Sequence, residues 1–367
     1  MEDLNDICIL WLDYFEELTY KKKADLLSLF PTAKDLFENF KVAKDKILSV
    51  IGEDIYNKMA KTNSVKSIEN YLERICKIGI KFVTIYDDRY PKTLKNIDMP
   101  PFVLYYKGNF DLVDSLSIAI VGTRKPTIYG KTATEDFAQK LSNAGFCIVS
   151  GLALGVDTIA HETTIKNNGK TIAVLAGGLD NIYPSVNFSL SKEIEKNGLL
   201  LSEYRPGIEP ESWHFPIRNR IIAGLSKGVL ITEAGLKSGS IHTKNYALDF
   251  GRDVFAVPGN IFSAQSLGCN EMIKNGQAKL VTEIDDILEE YNLVYTATEE
   301  EPDKEFSDDE KLVMKLLSEK ELSYQEIVNK TKIDAKTLNS LLTTMAIRGI
   351  IKKLAGNYYC LVYRKEV

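Results

Sequence analysis

Apolar positions along the first 75 residues recur at helical spacing. Leu26, Leu27, Leu29 and Phe30 are followed by Leu36, Phe37 and Phe40, then by Ile47, Leu48 and Ile51. These three- and four-residue intervals put side chains on one face of a helix. The string YKKKADLLSLFPTAKDLF breaks at Pro31, and Thr32 stands where a helix N-cap belongs. The prediction is a small module of helix hairpins. Such hairpins occur in small DNA-binding folds and equally in packing or docking domains.

From about residue 80 the period changes. Short apolar runs predict strands at Lys81–Ile85, Val103–Tyr106, Ser117–Val121, Phe146–Ser150, Thr171–Ala176, Leu199–Ser202, Gly228–Thr232, Asp253–Val257 and Lys279–Val281, and from Ser117 onward helical stretches fill most of the gaps. Repeated strand–helix–strand units require parallel pairing with right-handed crossovers. The expected architecture is therefore α/β, a doubly wound sheet covered on both faces. Ligands of such sheets sit at the carboxyl ends of the strands.

After the acidic stretch TEEEPDKEFSDDE, Ser307 to Glu310 fit a capping box. The rest reads helix, turn, helix and then a two-stranded wing, Ile350–Leu354 and Tyr358–Val362 around Gly356-Asn357. A winged helix is predicted. Its second helix, Ala335 to Arg348, carries only Lys336 and Arg348 as bases, which leaves DNA reading and protein contact both open. The boundaries drawn from these changes are a helical domain at 1–75, a core at 76–292, an acidic linker at 293–306 and a winged-helix-like domain at 307–367.

Composition agrees with several domains. A chain of 367 residues exceeds what one hydrophobic core usually serves, and 44% apolar with 26% charged residues is ordinary for a globular protein. No run of 18 uncharged apolar residues occurs, and the opening MEDLNDICILWLDYF has acids where a secretion signal carries bases. A soluble, cytoplasmic protein without a membrane partner is expected. The five cysteines, Cys8, Cys76, Cys147, Cys269 and Cys360, form no CxxC, so neither a zinc site nor a disulfide framework is indicated. The net charge of −5 argues against a polyanionic partner only until it is mapped. Between Glu283 and Glu310 about thirteen acids face one lysine, so the remainder of the chain sits near +7.

The chemistry concentrates in loops after predicted strands. VGTRKPTIYG sets Gly122 directly behind a strand, where a tight turn lets backbone N–H groups face a phosphate at the following helix start, with Arg124 as a cationic fork and Gly122, Thr123, Arg124 and Lys125 as candidate contacts. It is not GxGxxG, and Gly130-Lys131-Thr132 lies too far on for a Walker A loop, which disfavours ATP hydrolysis. SGLALGVDTIAH brings Ser150 and Gly151 to a second strand end, with Asp157 placed to cap or to hold loops. His161-Glu162 is no zinc motif, because Ile165 stands four residues after His161. In WHFPIRNRIIAGL, Trp213 and Phe215 lie beside Arg218, Asn219 and Arg220, the union of aromatic face and guanidinium that single strands require. Ser238, Gly239 and Ser240 open a further helix bearing Lys244, another anion site. Glu203 and Glu233 each end a strand and can serve acid–base chemistry or anchor loops; loop anchoring is the plainer role.

Taken together, VGTRKPTIYG, SGLALGVDTIAH, TIAVLAGGLDNIYPSVN, LSEYRPGIEP, FPIRNRIIAGLSKGVLITEA, SGSIHTKNYALDFGRDVFAVPGN and SLGCNEMIKNGQA resemble, in order, the pattern of the DNA-processing protein A (DprA/Smf) family across about residues 80 to 290. The resemblance implies an extended Rossmann-like core flanked by a helical, sterile-alpha-motif-like domain and a winged-helix-like domain. It implies a non-enzymatic single-stranded DNA-binding protein without a cofactor, which protects incoming DNA in natural transformation and helps load RecA recombinase. It also implies a homodimer through the core. By motif position Arg124 would meet phosphate, and Phe215 and Arg218 would meet bases and backbone. Where some members carry lysine near YPxxN, this chain has Ser185 and Val186, with Lys192 as a substitute one or two turns on. The dimer and recombinase surface would lie around Ile261 to Leu280.

Two rivals stand beside this reading. One is a nucleotide-processing enzyme of phosphoribohydrolase type, whose PGGxGT loop is replaced here by TEAGLKSGS. The other is a ligand-sensing transcriptional regulator that reads duplex DNA with its winged helix.

Overall fold

The computed structural model describes residues 4–293, 306–347 and 350–361. They fall into two compact units, Met1–Thr296 and Ala297–Val367.

The first unit begins with helices α1 (Leu4–Asp13), α2 (Tyr20–Ser28), α3 (Ala33–Glu38), α4 (Lys44–Ile51), α5 (Glu53–Thr62) and α6 (Val65–Lys77). Thr19, Thr32 and Ser64 cap α2, α3 and α6 by accepting from the N–H groups of Lys22, Asp35 and Ser67. Pro31 stands just ahead of the Thr32 cap, as its place in the sequence predicts. Trp11 is the hub of this module, meeting the rings of Phe15, Phe37 and Phe40 edge-on. Polar ties then fasten the helices to the sheet. The Tyr105 hydroxyl donates to Asp13 at 3.2 Å, and Arg205 donates to the Tyr14 carbonyl at 3.1 Å while lying over the Tyr14 ring.

The sheet follows as β1 (Lys81–Thr84), a short α7 (Lys92–Lys95), β2 (Val103–Gly108), β3 (Ser117–Val121), α8 (Ile128–Asn143), β4 (Cys147–Ser150), α9 (Val156–Lys166), β5 (Thr171–Leu175), α10 (Phe188–Asn197), β6 (Leu199–Ser202), α11 (His214–Leu225), β7 (Gly228–Ile231), α12 (Ser240–Asp249), β8 (Asp253–Ala256), α13 (Leu267–Lys274), β9 (Lys279–Leu280) and α14 (Asp285–Leu288). All nine predicted strands form, in the order β1-β2-β6-β5-β4-β3-β7-β8-β9. Pairing is parallel from β6 to β9, and β1 and β2 add an antiparallel edge. Successive side chains of β3 serve opposite faces. Ile118 and Ile120 pack with Phe137 and Leu141 of α8, while Ala119 and Val121 pack with Ile221 and Ile222 of α11. Burial on both faces explains why these strands read as continuous apolar runs. The chain leaves β3 toward β4, β5 and β6, then returns to place β7 on the other side of β3. Strand order therefore reverses between β3 and β7, and the carboxyl ends at such a reversal are where sheets of this kind bind ligands.

The second unit contains α15 (Asp308–Glu319), β10 (Leu322–Ser323), α16 (Tyr324–Thr331), α17 (Ala335–Ile347), β11 (Ile351–Lys353) and β12 (Tyr358–Leu361). Ser307 and Glu310 complete the predicted capping box, and Ser323 with Glu326 makes a second. The wing is a three-stranded sheet, β10-β12-β11; the two residues of β10 were too short to register as a strand in the sequence. Its turn is the three-residue loop Ala355–Asn357, in which Gly356 and Asn357 take positive φ. Leu338, Leu342 and Met345 bury one face of α17 against Ile327 and Ile351. Arg348, Val362 and residues 294–305 of the predicted linker lie outside the described residues. Among those described, no helix is long and apolar enough to cross a membrane.

Candidate nucleic-acid interface

The loop after β3 is built from close backbone approach. A side chain at Gly122 would come within 2.7 Å of the Glu233 carbonyl and of Val156. With no side chain there, Thr123 N–H donates to Glu233 O at 2.8 Å and Val156 N–H donates to Thr123 O at 3.2 Å, joining the ends of β3 and β7 to the start of α9. The Glu233 carboxylate accepts from Thr127 twice, from N–H at 2.7 Å and from the hydroxyl at 2.6 Å, and so anchors the start of α8. This is the loop-anchoring role. Between these ties Arg124 and Lys125 project into solvent, both exposed.

The end of β4 is held from below. Asp157 accepts from Gly151 N–H at 3.1 Å and Ala153 N–H at 3.4 Å. Arg218 donates to Gly151 O at 2.9 Å and also to Val174 O. An added Cβ on Gly151 would lie 2.6 Å from the Arg218 guanidinium and 2.8 Å from the Asp157 carboxylate. Only glycine fits between this buried cation and anion. Burial draws Arg218 down to about 10, with Asp157 acting against that, and pushes the Asp157 carboxyl up while Arg218 pulls it back. Both groups have left water and depend on one another.

Phe215 covers this arrangement from the first turn of α11. Two guanidinium groups approach its ring, Arg124 at 5.2 Å and Arg218 at 5.9 Å from the ring centre, and Tyr183 meets it edge-on at 5.7 Å. The fold thus joins Gly122, Thr123, Arg124, Lys125, Gly151, Phe215 and Arg218 at one end of the sheet, although the chain separates them by about ninety residues. Asn219 extends the group. It accepts from Arg218 Nε at 3.1 Å and donates to Gly239 O at 3.5 Å, at the start of α12 where the Ser238 and Ser240 hydroxyls are 2.8 Å apart.

Three of the other expected contact residues are buried. Arg220 is 3% exposed and forks onto Glu203 through two 2.6 Å bonds, with a third to Met99 O at 3.1 Å. One helical turn is 3.6 residues, so Arg218 and Arg220 cannot share a direction. Ser150 is buried, its hydroxyl donating to Ile120 O at 2.7 Å, and Lys244 is buried with its ammonium on Gln277 at 3.1 Å. All three side chains are buried and bonded within the core. Lys192 is exposed, 5.7 Å over the Phe188 ring and 2.8 Å from Glu195.

Two participants were not singled out in the sequence. Tyr183 appears there only within the YPxxN segment. Buried Asn187 donates to Leu152 O and to the Thr158 hydroxyl, both at 2.9 Å, tying the loop after β5 to the loop after β4. An asparagine in a loop gives no sign of such a partner.

Comparison with known proteins follows from this geometry. A model of the family described as DNA recombination-mediator protein A matches residues 81–292. The chain belongs to that family. DNA processing protein DprA of Bacillus subtilis is 41% identical over 258 residues, covering 68% of this chain and 86% of the relative. The solved structure of DNA processing protein A from Streptococcus pneumoniae superposes with a TM-score of 0.66 at 36% identity, covering 78% of this chain and 98% of that one. That of DNA processing protein A from Helicobacter pylori, a structure concerned with its single-stranded DNA binding mode, gives 0.53 at 37% identity, covering 58% and 96%.

Proposed function

We propose that the protein binds single-stranded DNA in the crevice at the carboxyl end of its parallel sheet and releases it chemically unchanged, as a DNA-processing protein of natural transformation. The observation that carries this is the Phe215 ring with the guanidinium groups of Arg124 and Arg218 at 5.2 and 5.9 Å from its centre. A base can stack on such a ring, cations flank it for the phosphates, and stacking is open only to bases not already paired in a duplex. The Helicobacter pylori relative, described by its single-stranded DNA binding mode, supports the same choice of ligand. Gly122, Thr123, Arg124, Lys125, Phe215 and Asn219 form the proposed contact surface, with Arg218 supplying charge from beneath and Ser238 and Gly239 at its margin.

The reading without catalysis is supported by how the two carboxylates considered for acid–base work are used. Glu233 holds Thr127, and Glu203 holds Arg220. Homodimerisation through the core and RecA loading remain part of the proposal. Exposed Ile261 and Phe262, in the segment where family resemblance would put such contacts, favour a partner there. The division into a helical domain, core, acidic linker and winged-helix-like domain is proposed at the boundaries read from the sequence.

Fluorescence anisotropy of the full chain with labelled oligo-deoxythymidine and with a duplex of equal length tests the reading. Tighter binding of the single strand, weakening as salt rises, is expected. Preference for duplex would favour the regulator, and release of free base from nucleotides would favour the hydrolase.

A further inference from the structure

The loop after β5 brings one more aromatic ring to the proposed contact surface. Tyr183 has its ring centre 5.7 Å from that of Phe215, and the two planes are inclined at 63°. Two rings so inclined form a corner. Both reach solvent, Tyr183 being 53% exposed and Phe215 half-buried. The loop is fixed on either side of the ring. Ahead of Tyr183, the Asp180 carboxylate accepts from Gly207 N–H at 2.9 Å; after it, buried Asn187 donates to Leu152 O and to the Thr158 hydroxyl, both at 2.9 Å. The polar end of the side chain is left unused. Among the described residues the Tyr183 hydroxyl has no hydrogen-bond partner, whereas Tyr129, exposed to a similar degree, spends its hydroxyl on Pro258 O at 2.5 Å. A tyrosine that packs on a neighbouring ring and keeps its hydroxyl free offers one ligand both an apolar face and a polar tip.

We propose that Tyr183 is a DNA-contacting residue that shares one base with Phe215: the base lies flat on one ring, its edge rests against the other, and the Tyr183 hydroxyl bonds to that nucleotide. This rests on the single-strand reading above. The occupant follows from the chemistry. Every nucleobase is flat and carries donors and acceptors around its edge, and a hydroxyl both donates and accepts, so the corner takes any base without selecting a sequence. Exposed Arg124, whose guanidinium lies 5.2 Å from the Phe215 ring centre, brings positive charge to the same ring for the adjoining phosphate. A base within a duplex is stacked on both sides and paired along its edge, so it cannot enter such a corner.

Contact is read directly with an oligo-deoxythymidine that carries iodouracil, a photoreactive thymine analogue that couples to aromatic side chains it touches. Irradiated with the full-length chain, it should give adducts on Tyr183 and on Phe215, located by peptide mass spectrometry. In anisotropy titrations Tyr183→Ala should weaken binding by about 5- to 150-fold. Tyr183→Phe, which keeps the ring and loses the hydroxyl, should weaken it by about 2- to 10-fold. Because one base is shared, Tyr183→Ala combined with Phe215→Ala should bind much as Phe215→Ala alone does. Should a variant prove less stable, the adduct on the unsubstituted chain still decides. Weaker binding by Tyr183→Ala without an adduct on Tyr183 would overturn the contact and make the residue a brace for the Phe215 ring. Losses that multiply in the double variant would put the two rings on different bases and overturn the shared corner, and Tyr183→Phe as tight as the parent would overturn the hydroxyl bond. An adduct on Phe215 alone, with Tyr183→Ala as tight as the parent, would overturn the proposal outright and leave the single-strand reading standing. Absence of any oligonucleotide binding by the unsubstituted chain would remove that reading itself, and the Tyr183 contact with it.

Discussion

The guanidinium of Arg124, on the loop after β3, lies 5.2 Å from the centre of the Phe215 ring on α11. The two residues are 91 positions apart in the chain and meet at the carboxyl end of the sheet. Arg124 is exposed, and the contact proposed for it is with phosphate. Arg124→Ala should therefore weaken single-strand binding alike for all sequences and make the log–log salt dependence shallower by about 0.7, one phosphate's worth. Anisotropy titrations at four salt concentrations measure this. An unchanged slope would take Arg124 out of the interface.

The role proposed for Phe215 is to offer a base its ring face. Phe215→Ala should cost about 1–3 kcal/mol of binding, the usual loss for a stacked base, while Phe215→Tyr keeps the ring and most of the affinity. The salt slope should stay that of the parent, since no phosphate contact is removed. A shallower slope in the alanine variant would mean that the ring acts by positioning Arg124.

The Arg220–Glu203 pair should behave in the opposite manner. Side-chain exposures of 4% and 16% leave little water to solvate either charge alone. Arg220→Met strands Glu203 and should lower stability by about 3 kcal/mol, seen as a lower melting temperature. Binding of the folded variant, measured well below its melting point, should match the parent. Lost affinity with unchanged stability would return Arg220 to the interface.

The strands, the Thr32 cap and the Ser307 capping box were legible because each depends on its own neighbours in sequence: an apolar run between turn residues, or a hydroxyl three residues ahead of its partner N–H. The loop glycines were legible for a similar reason, since a glycine directly after a strand marks a turn whatever surrounds it. What could not be read was the direction of side chains on α11. Arg218 and Arg220 are alike in sequence, and only the positions of Gly151, Val174 and Glu203 decide that one braces the strand ends beneath Phe215 and the other closes an ion pair with the β6 end. Tyr183 and Asn187 were missed on the same ground, because their partners lie at least 29 residues away along the chain.

His161 supplies a pH dependence that such long-range burial creates. Thr171 spends its hydroxyl hydrogen on Ile148 O at 2.6 Å, so its oxygen accepts from His161 Nδ1–H at 2.7 Å, which leaves Nε2 bare and without a partner in the core. Burial, with the nearby Arg218 charge adding to it, lowers the imidazole to about 3 from an ordinary value near 6.5. Below pH 6.5 the unfolded chain takes up a proton that the folded chain refuses, so stability falls as pH falls and stops falling near pH 3. The limiting slope from this one group is about 1.4 kcal/mol per pH unit. His161→Gln removes the group from both states. The stability gap between parent and variant, from urea unfolding, should therefore narrow by roughly 2 kcal/mol between pH 7 and pH 5. A gap that stays constant would show that His161 takes up its proton equally in the folded and unfolded chain, and that the bare nitrogen is reached by water.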